Sequence, residues 1–138
     1  MEIKQISVFL ENTKGRLSKV TQTLAHAGIN LRAISIADTA DFGILRFIVD
    51  KTNEAVEVLG SAGFTVKLTD VLAVEIDDVP GSLAKLMELI QNSDVNIEYL
   101  YATLENKSGK AVIIFKMENH DSGLQLVKNS GLTLVESF

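Results

Sequence analysis

Two short segments of the 138-residue chain carry residue types suited to holding a small polar molecule: ENTKGRL at 11 to 17 and DDVPGSL at 77 to 83. Each closes on Gly, one variable residue and Leu. A glycine there lets the backbone approach a ligand closely, and the N–H groups that open a following helix can hold a carboxylate or another small anion. Beside those donors stands Asn12 in one segment and Asp78 in the other. An amide donates and accepts, whereas a carboxylate favours an ammonium group, so the two together suit the zwitterionic backbone of an amino acid. The candidate binding residues are Asn12, Lys14, Gly15, Arg16 and Leu17 in the first segment, and Asp78, Val79, Pro80, Gly81, Ser82 and Leu83 in the second. Asn30 with Leu31, and Asn96 with Ile97, add a second polar element, each placed after a helix and at the opening of a strand. The same residue types also serve ordinary strand-to-helix turns, helix caps and post-helix turns.

Other chemistries fit the sequence less well. The chain has no cysteine, which excludes disulfides, thiolate nucleophiles and thiolate metal sites. Its two histidines, His26 and His120, stand at non-equivalent positions and read as helix-surface and helix-start residues rather than metal ligands. Arg16 alone suggests the phosphate-cradling loop of an acylphosphatase-like hydrolase, but Ser82 replaces it in the second segment and no nucleophile and base cluster together. No catalytic residue, metal or cofactor is therefore assigned. Tyr99 and Tyr101 share one strand face, as stacking aromatics of an RNA-binding sheet do. A formal charge of −5 and the lack of any Lys or Arg run argue against nucleic acid and against an anionic membrane surface. No apolar stretch resembles a signal sequence or a membrane span, and the expected location is cytoplasmic.

The elements that must position the two segments come in duplicate. Gly15 and Gly81, Leu17 and Leu83, Leu24 and Ile90, Asn30 and Asn96, Leu31 and Ile97, and Gly43 and Gly109 are all 66 positions apart. A slip of two near the end aligns GFTV at 63 to 66 with GLTL at 131 to 134. Six pairs in one register indicate duplication. In the first half Ile6, Val8 and Leu10 alternate as a strand, Leu17, Val20, Leu24 and Ala27 form a helical stripe that Gly28 ends, and NLRAISIA with ILRFIV forms a hairpin across DTADFG. A helix from about 52 to 62 and the strand FTVKL follow. The second half repeats this with LAVEI, the stripe Leu83, Leu86, Met87 and Ile90, a hairpin of NIEYLYATL and AVIIFKM across ENKSG, the helix GLQLVKNSG and the strand LTLV.

This order predicts an α+β protein of two ferredoxin-like βαββαβ units, residues 1–69 and 70–138, each an antiparallel sheet with helices on one face. The segment KLTDV is the expected linker. It is too short for independent motion, so direct packing of the units and a homodimer that buries the remaining sheet surface are expected.

The two loops, the topology, the pattern Asp78, Pro80, Gly81, Leu83 and the Asn-Leu or Asn-Ile opening of the second strand together resemble the ACT domain family, regulatory modules that bind amino acids. The resemblance covers essentially the whole chain. It implies effector binding at interfaces between ACT units, through Asn12 and Asn30 in the first half and Asp78 and Asn96 in the second. Lys14 departs from the family pattern, which has proline there. The resemblance further implies a small-molecule effector, an amino acid or related metabolite, and a separate partner enzyme or regulator that receives the signal. The alternative is an ACT-type protein-interaction adaptor without ligand.

Overall fold

The computed structural model describes the whole chain except residues 1–2, 12, 39–40 and 105–108 and the side chain of Asp38. The elements are β1 (Ile3–Glu11), α1 (Arg16–His26), β2 (Leu31–Asp38), β3 (Phe42–Val49), α2 (Thr52–Ser61), β4 (Thr65–Asp77), α3 (Ser82–Gln91), β5 (Ile97–Ala102), β6 (Lys110–Met117), α4 (His120–Asn129) and β7 (Thr133–Val135). They form two units, Lys4–Thr69 with Phe138, and Asp70–Ser137 with Ile3. The fold is the expected α+β class with a repeated βαββαβ order.

In the first unit the strands lie in the order β2-β3-β1-β4, with β1 antiparallel to β3 and β3 antiparallel to β2. Alternation along β1 sends Ile6, Val8 and Leu10 to the helix-covered face, where they are buried with Leu45, Phe47 and Val49 of β3. Val20 and Leu24 of α1 and Ala55 and Leu59 of α2 close the cluster from above. The second unit repeats the arrangement in the order β5-β6-β4-β7. Leu72 and Val74 of β4 and Ile113, Phe115 and Met117 of β6 lie under Leu86 and Ile90 of α3 and Val127 of α4. Each unit also buries residues on its other sheet face, Gln5, Ser7, Ala33 and Ile48 in the first and Ala73, Tyr101, Val112 and Ile114 in the second.

Three expectations need correction. The segment KLTDV does hold the boundary between the units, at Thr69 and Asp70, but as strand rather than loop: it lies within the 13-residue β4, whose first part belongs to one unit and whose remainder belongs to the other. TVKLTDVLAVEID contains neither glycine nor proline, so nothing in it breaks an extended backbone. Leu17 and Leu83 begin their helices on the outside and are 43% and 38% exposed, so the buried helix stripes start one turn later. Finally, the two-residue slip occurs within the hairpins rather than near the end. β2 and β5 begin 66 apart at Leu31 and Ile97, but β3 and β6 begin 68 apart at Phe42 and Lys110, and so do α2 and α4 at Thr52 and His120. Phe47 therefore corresponds to Phe115, and the match of Gly43 with Gly109 is a coincidence of sequence. Gly43 lies inside β3, whereas Gly109 precedes β6 with a φ of 72°.

Gly123 in the interior of α4 shows how tightly the second unit packs. A Cβ there would lie 2.6 Å from Cγ and 3.2 Å from Cβ of Met117, and 3.2 Å from Cδ1 of Leu72. Alanine normally gains about 1 kcal/mol over glycine in a helix, but this site has no room for it, and overpacking a core costs about 1–3 kcal/mol. Gly123→Ala is expected to lower the urea midpoint. An unchanged or raised midpoint would show that Met117 and Leu72 yield without cost.

Candidate functional site

Each strand-to-helix turn is built around a glycine with left-handed backbone, Gly15 at φ 88° and Gly81 at φ 90°. A side chain in that conformation crowds the following carbonyl at a cost of about 1–2 kcal/mol, which glycine avoids. The N–H of Arg16 donates to the Thr13 carbonyl and that of Lys19 to the Gly15 carbonyl; Ser82 and Lys85 repeat this with Val79 and Gly81. The N–H groups of residues 17 and 18, and of 83 and 84, are left without an intrahelical acceptor. No side chain caps either helix, whereas Asn119 Oδ1 accepts from the Ser122 N–H and caps α4 at 3.0 Å. The two loops thus present uncapped donors at equivalent places.

In the second unit the turn borders an open cleft of about 330 Å³, lined by Glu75, Ile76 and Asp77 of β4, Val79 and Pro80 of the turn, Ser82 and Lys85 of α3, Lys110 of β6, and Gly131, Leu132 and Thr133 before and within β7. Its rim carries two lysines and two carboxylates. Asp77 accepts a hydrogen bond from Nζ of Lys110, its cross-strand partner. That bond, and secondarily the ammonium charge, holds the Asp77 carboxyl below the usual carboxylate range; the same contact raises Lys110. Lys85, Lys110, Glu75, Asp77, Leu132 and Thr133 were not among the residues singled out from sequence. Finding Lys110 opposite Asp77 requires the register of the β4–β6 pair, which the two-residue slip conceals.

Of the residues expected at the site, Val79, Pro80 and Ser82 line the cleft and Gly81 shapes its turn; Asp78 is exposed beside it, with its N–H bonded to the Gly109 carbonyl. Lys14 and Leu17 are exposed and Arg16 half-buried around Gly15, while Asn12 lies outside the described residues. The second polar element stands apart from the cleft lining and has a structural task. The Asn30 N–H donates to Oδ1 of Asp50 while the Asp50 N–H donates to the Asn30 carbonyl, which joins the start of β2 to the end of β3. In the second unit the Glu118 N–H donates to the Asn96 carbonyl and Asn96 Nδ2 donates to Glu118. Leu31 and Ile97 follow directly, each next to a register irregularity at the strand start. Asn96 also borders a depression of about 480 Å³ with Asp94, Glu118, Asn119 and Ser122.

Residues 1–137 match the family model of the ACT domain pair. The chain belongs to that family. It is 39% identical to protein BT0572 from Bacteroides thetaiotaomicron, whose crystal structure superposes with a TM-score of 0.91 over 98% of this chain and 92% of that one. The ligand-free regulatory subunit of aspartate kinase from Thermus thermophilus shares the fold at 23% identity, with a TM-score of 0.67 over 93% of this chain and 91% of that one. Among curated proteins, an acetolactate synthase small subunit from Buchnera aphidicola is 34% identical over 80 residues, which is 56% of this chain and 50% of that one. The chain thus aligns with about half the length of that relative. His120 opens α4, as expected, and His26 ends α1 on its surface; among the described residues no three acidic or histidine side chains converge on a common point. Tyr101 is buried and Tyr99 half-buried, so this ACT domain pair does not offer the two rings as an open stacking platform. No helix among the described residues is long and apolar enough to cross a membrane.

The Asp77–Lys110 pair has a measurable signature. The depressed carboxyl contributes stability that is present above the unfolded-state value, near pH 4, and is lost as pH falls through the lower folded value. The pair is exposed, so the stability effect is small. In an NMR titration the Asp77 midpoint is expected to lie below the ordinary carboxylate value and to rise toward it in Lys110→Met. An unchanged midpoint in that variant would remove the contact.

Proposed function

We propose that this ACT domain pair is a sensor of an amino acid or a closely related metabolite. The effector binds at the Gly15 and Gly81 turns, at interfaces between ACT units, and regulates a separate partner in the cytoplasm. The observation that carries this reading is the duplicated glycine turn with its uncapped helix donors. The Asp77 and Glu75 carboxylates and the Lys85 and Lys110 ammonium groups around the second turn match both ends of a zwitterion. A cleft of this size sits at the lower end of the range for small-molecule sites. The similarity to a protein named as the small subunit of acetolactate synthase supports a role as a regulatory partner rather than as a catalyst.

In this reading residues 1–69 and 70–138 are the two sensing domains and the protein acts as a homodimer. Contacts across subunits complete each site, with Asn30 and Asn96 placed at the strand starts. An effector changes a partner's activity only if it binds two conformations of the assembly unequally.

A ligand bound only by the folded state raises its melting temperature by mass action. Among the twenty amino acids and a set of aromatic acids, at least one is expected to raise it. Gly15→Leu with Gly81→Leu is expected to abolish that rise while the protein remains folded. Nothing lies within 4 Å of a Cβ at either glycine, so the cost is confined to the backbone conformation. At about 1–2 kcal/mol per site it stays below the 5–15 kcal/mol of a typical domain. A shift that persists in the double variant would remove the turns from the site; no shift with any compound would favour the ligand-free adaptor.

A further inference from the structure

The two turns have the same backbone but opposite chemistry. Residues 11 to 19 carry three cations, Lys14, Arg16 and Lys19, and one carboxylate, Glu11; their equivalents 77 to 85 carry two carboxylates, Asp77 and Asp78, and one lysine. The contrast extends to the units. Lys4–Thr69 holds eight Lys or Arg and six Asp or Glu, a formal charge of +2, while the rest of the chain holds five and twelve, a charge of −7.

Packing differs in the same sense. Phe64 occupies the place that Leu132 takes at the second-unit cleft, and the Arg16 guanidinium carbon lies 4.8 Å and Lys19 Nζ 5.7 Å from the centre of its ring. The Phe64 ring thus has two like charges within about 6 Å of its centre. Among the described residues no carboxylate pairs with Lys14, Arg16 or Lys19, and the shielded Nε of Arg16 has no hydrogen-bond partner. All three cations also lie at the positive end of the α1 dipole, where no acidic residue occupies the first turn. Such an arrangement opposes helix stability. A bound anion relieves it.

We infer that the two units are unequal sensors: the first-unit turn selects a small dicarboxylate, gripped by Lys14, Arg16 and Lys19, whereas the second-unit cleft accepts a neutral zwitterion. This rests on the reading of the turns as effector sites and adds the charge of the ligand at each. A planar guanidinium suits bidentate carboxylate binding, and the two lysines supply the charge for the second carboxylate.

Isothermal titration of the intact protein with L-aspartate, succinate, L-asparagine and inorganic phosphate tests the assignment, with the amide signals of Gly15 and Gly81 followed by NMR. Aspartate, succinate or both are expected to bind at least about tenfold more tightly than asparagine, the size of one charge-assisted hydrogen bond. They are expected to move Gly15 and to weaken as salt is added. The Arg16→Gln, Lys19→Gln double variant is expected to lose at least about tenfold in affinity for the dicarboxylates. Lys14→Gln, at an exposed side chain, is expected to lose affinity in the same direction without touching the Phe64 packing. Aspartate binding without succinate binding would show that the ammonium group is also read. Equal affinity for asparagine, tighter binding of phosphate, or a dicarboxylate response at Gly81 alone would overturn the inference while the sensor reading stands. If no amino acid or dicarboxylate binds, both fail.

Discussion

Phe47 and Phe115 are wholly buried at equivalent positions on the middle strand pair of each unit, and the helices are held where they are by the need to cover them. Removing such a side chain from water contributes roughly 1.5–3 kcal/mol, and each ring is surrounded by aliphatic side chains from both helices and from neighbouring strands. A four-stranded sheet alone leaves this face wet. The two helices must therefore return across the sheet at set positions, and the chain between the first strand and first helix of each unit has only a few residues in which to turn. Everything at the candidate site follows from that constraint: the left-handed glycine, the direction in which the helix start points, and the donors left over.

The contrast between helix starts bears on function. Asn119 caps α4 with its own side chain, the locally stable solution. α1 and α3 lack such a cap although Ser and Thr stand nearby, and α1 further places cations where a helix prefers acids. α2 also starts without a side-chain cap, at Lys51, but only α1 and α3 start on a left-handed glycine, and their unmet donors stand at one repeated turn. Departures from local preference concentrate at functional sites.

Much of this was legible before any coordinates. The alternation of Ile6, Val8 and Leu10 and the spacing of Val20 with Leu24 define β1 and α1, and the recurrence of Gly15 as Gly81 locates both turns. What stayed hidden depends on register and on tertiary packing. Leu17 and Leu83 fit the helical stripe in one dimension, but the first turn of each helix overhangs the sheet and leaves them exposed. The β5–β6 hairpin is two residues longer from the start of its first strand to the start of its second, which shifts the rest of the second half by two positions, so the cross-strand pairing of Asp77 with Lys110 has no marker in sequence. The joint that duplication implies in KLTDV is present, at Thr69 and Asp70, but it is strand rather than loop. No glycine or proline in that stretch interrupts the strand.

The duplication separates what the core dictates from what the rim is free to vary. The φ angles at Gly15 and Gly81, 88° and 90°, are nearly the same, and the buried helix positions remain aliphatic, Val20 with Leu86 and Leu24 with Ile90. Around the turns, by contrast, Lys14 faces Pro80 in the alignment, Arg16 faces Ser82 and Phe64 faces Leu132. Positions 14 and 16 lie outside the clusters under the helices, so stability places little restraint on those two exchanges, whereas Phe64 is part of the first-unit core and Leu132 packs against the second, where the exchange is one of apolar size and shape. Phe64 brings with it the ring on which Arg16 and Lys19 rest, while Leu132 leaves a cleft open. A shared scaffold under rims of opposite charge is what the proposed pair of unequal sites requires, because side-chain exchange at the rim alters charge without altering the fold.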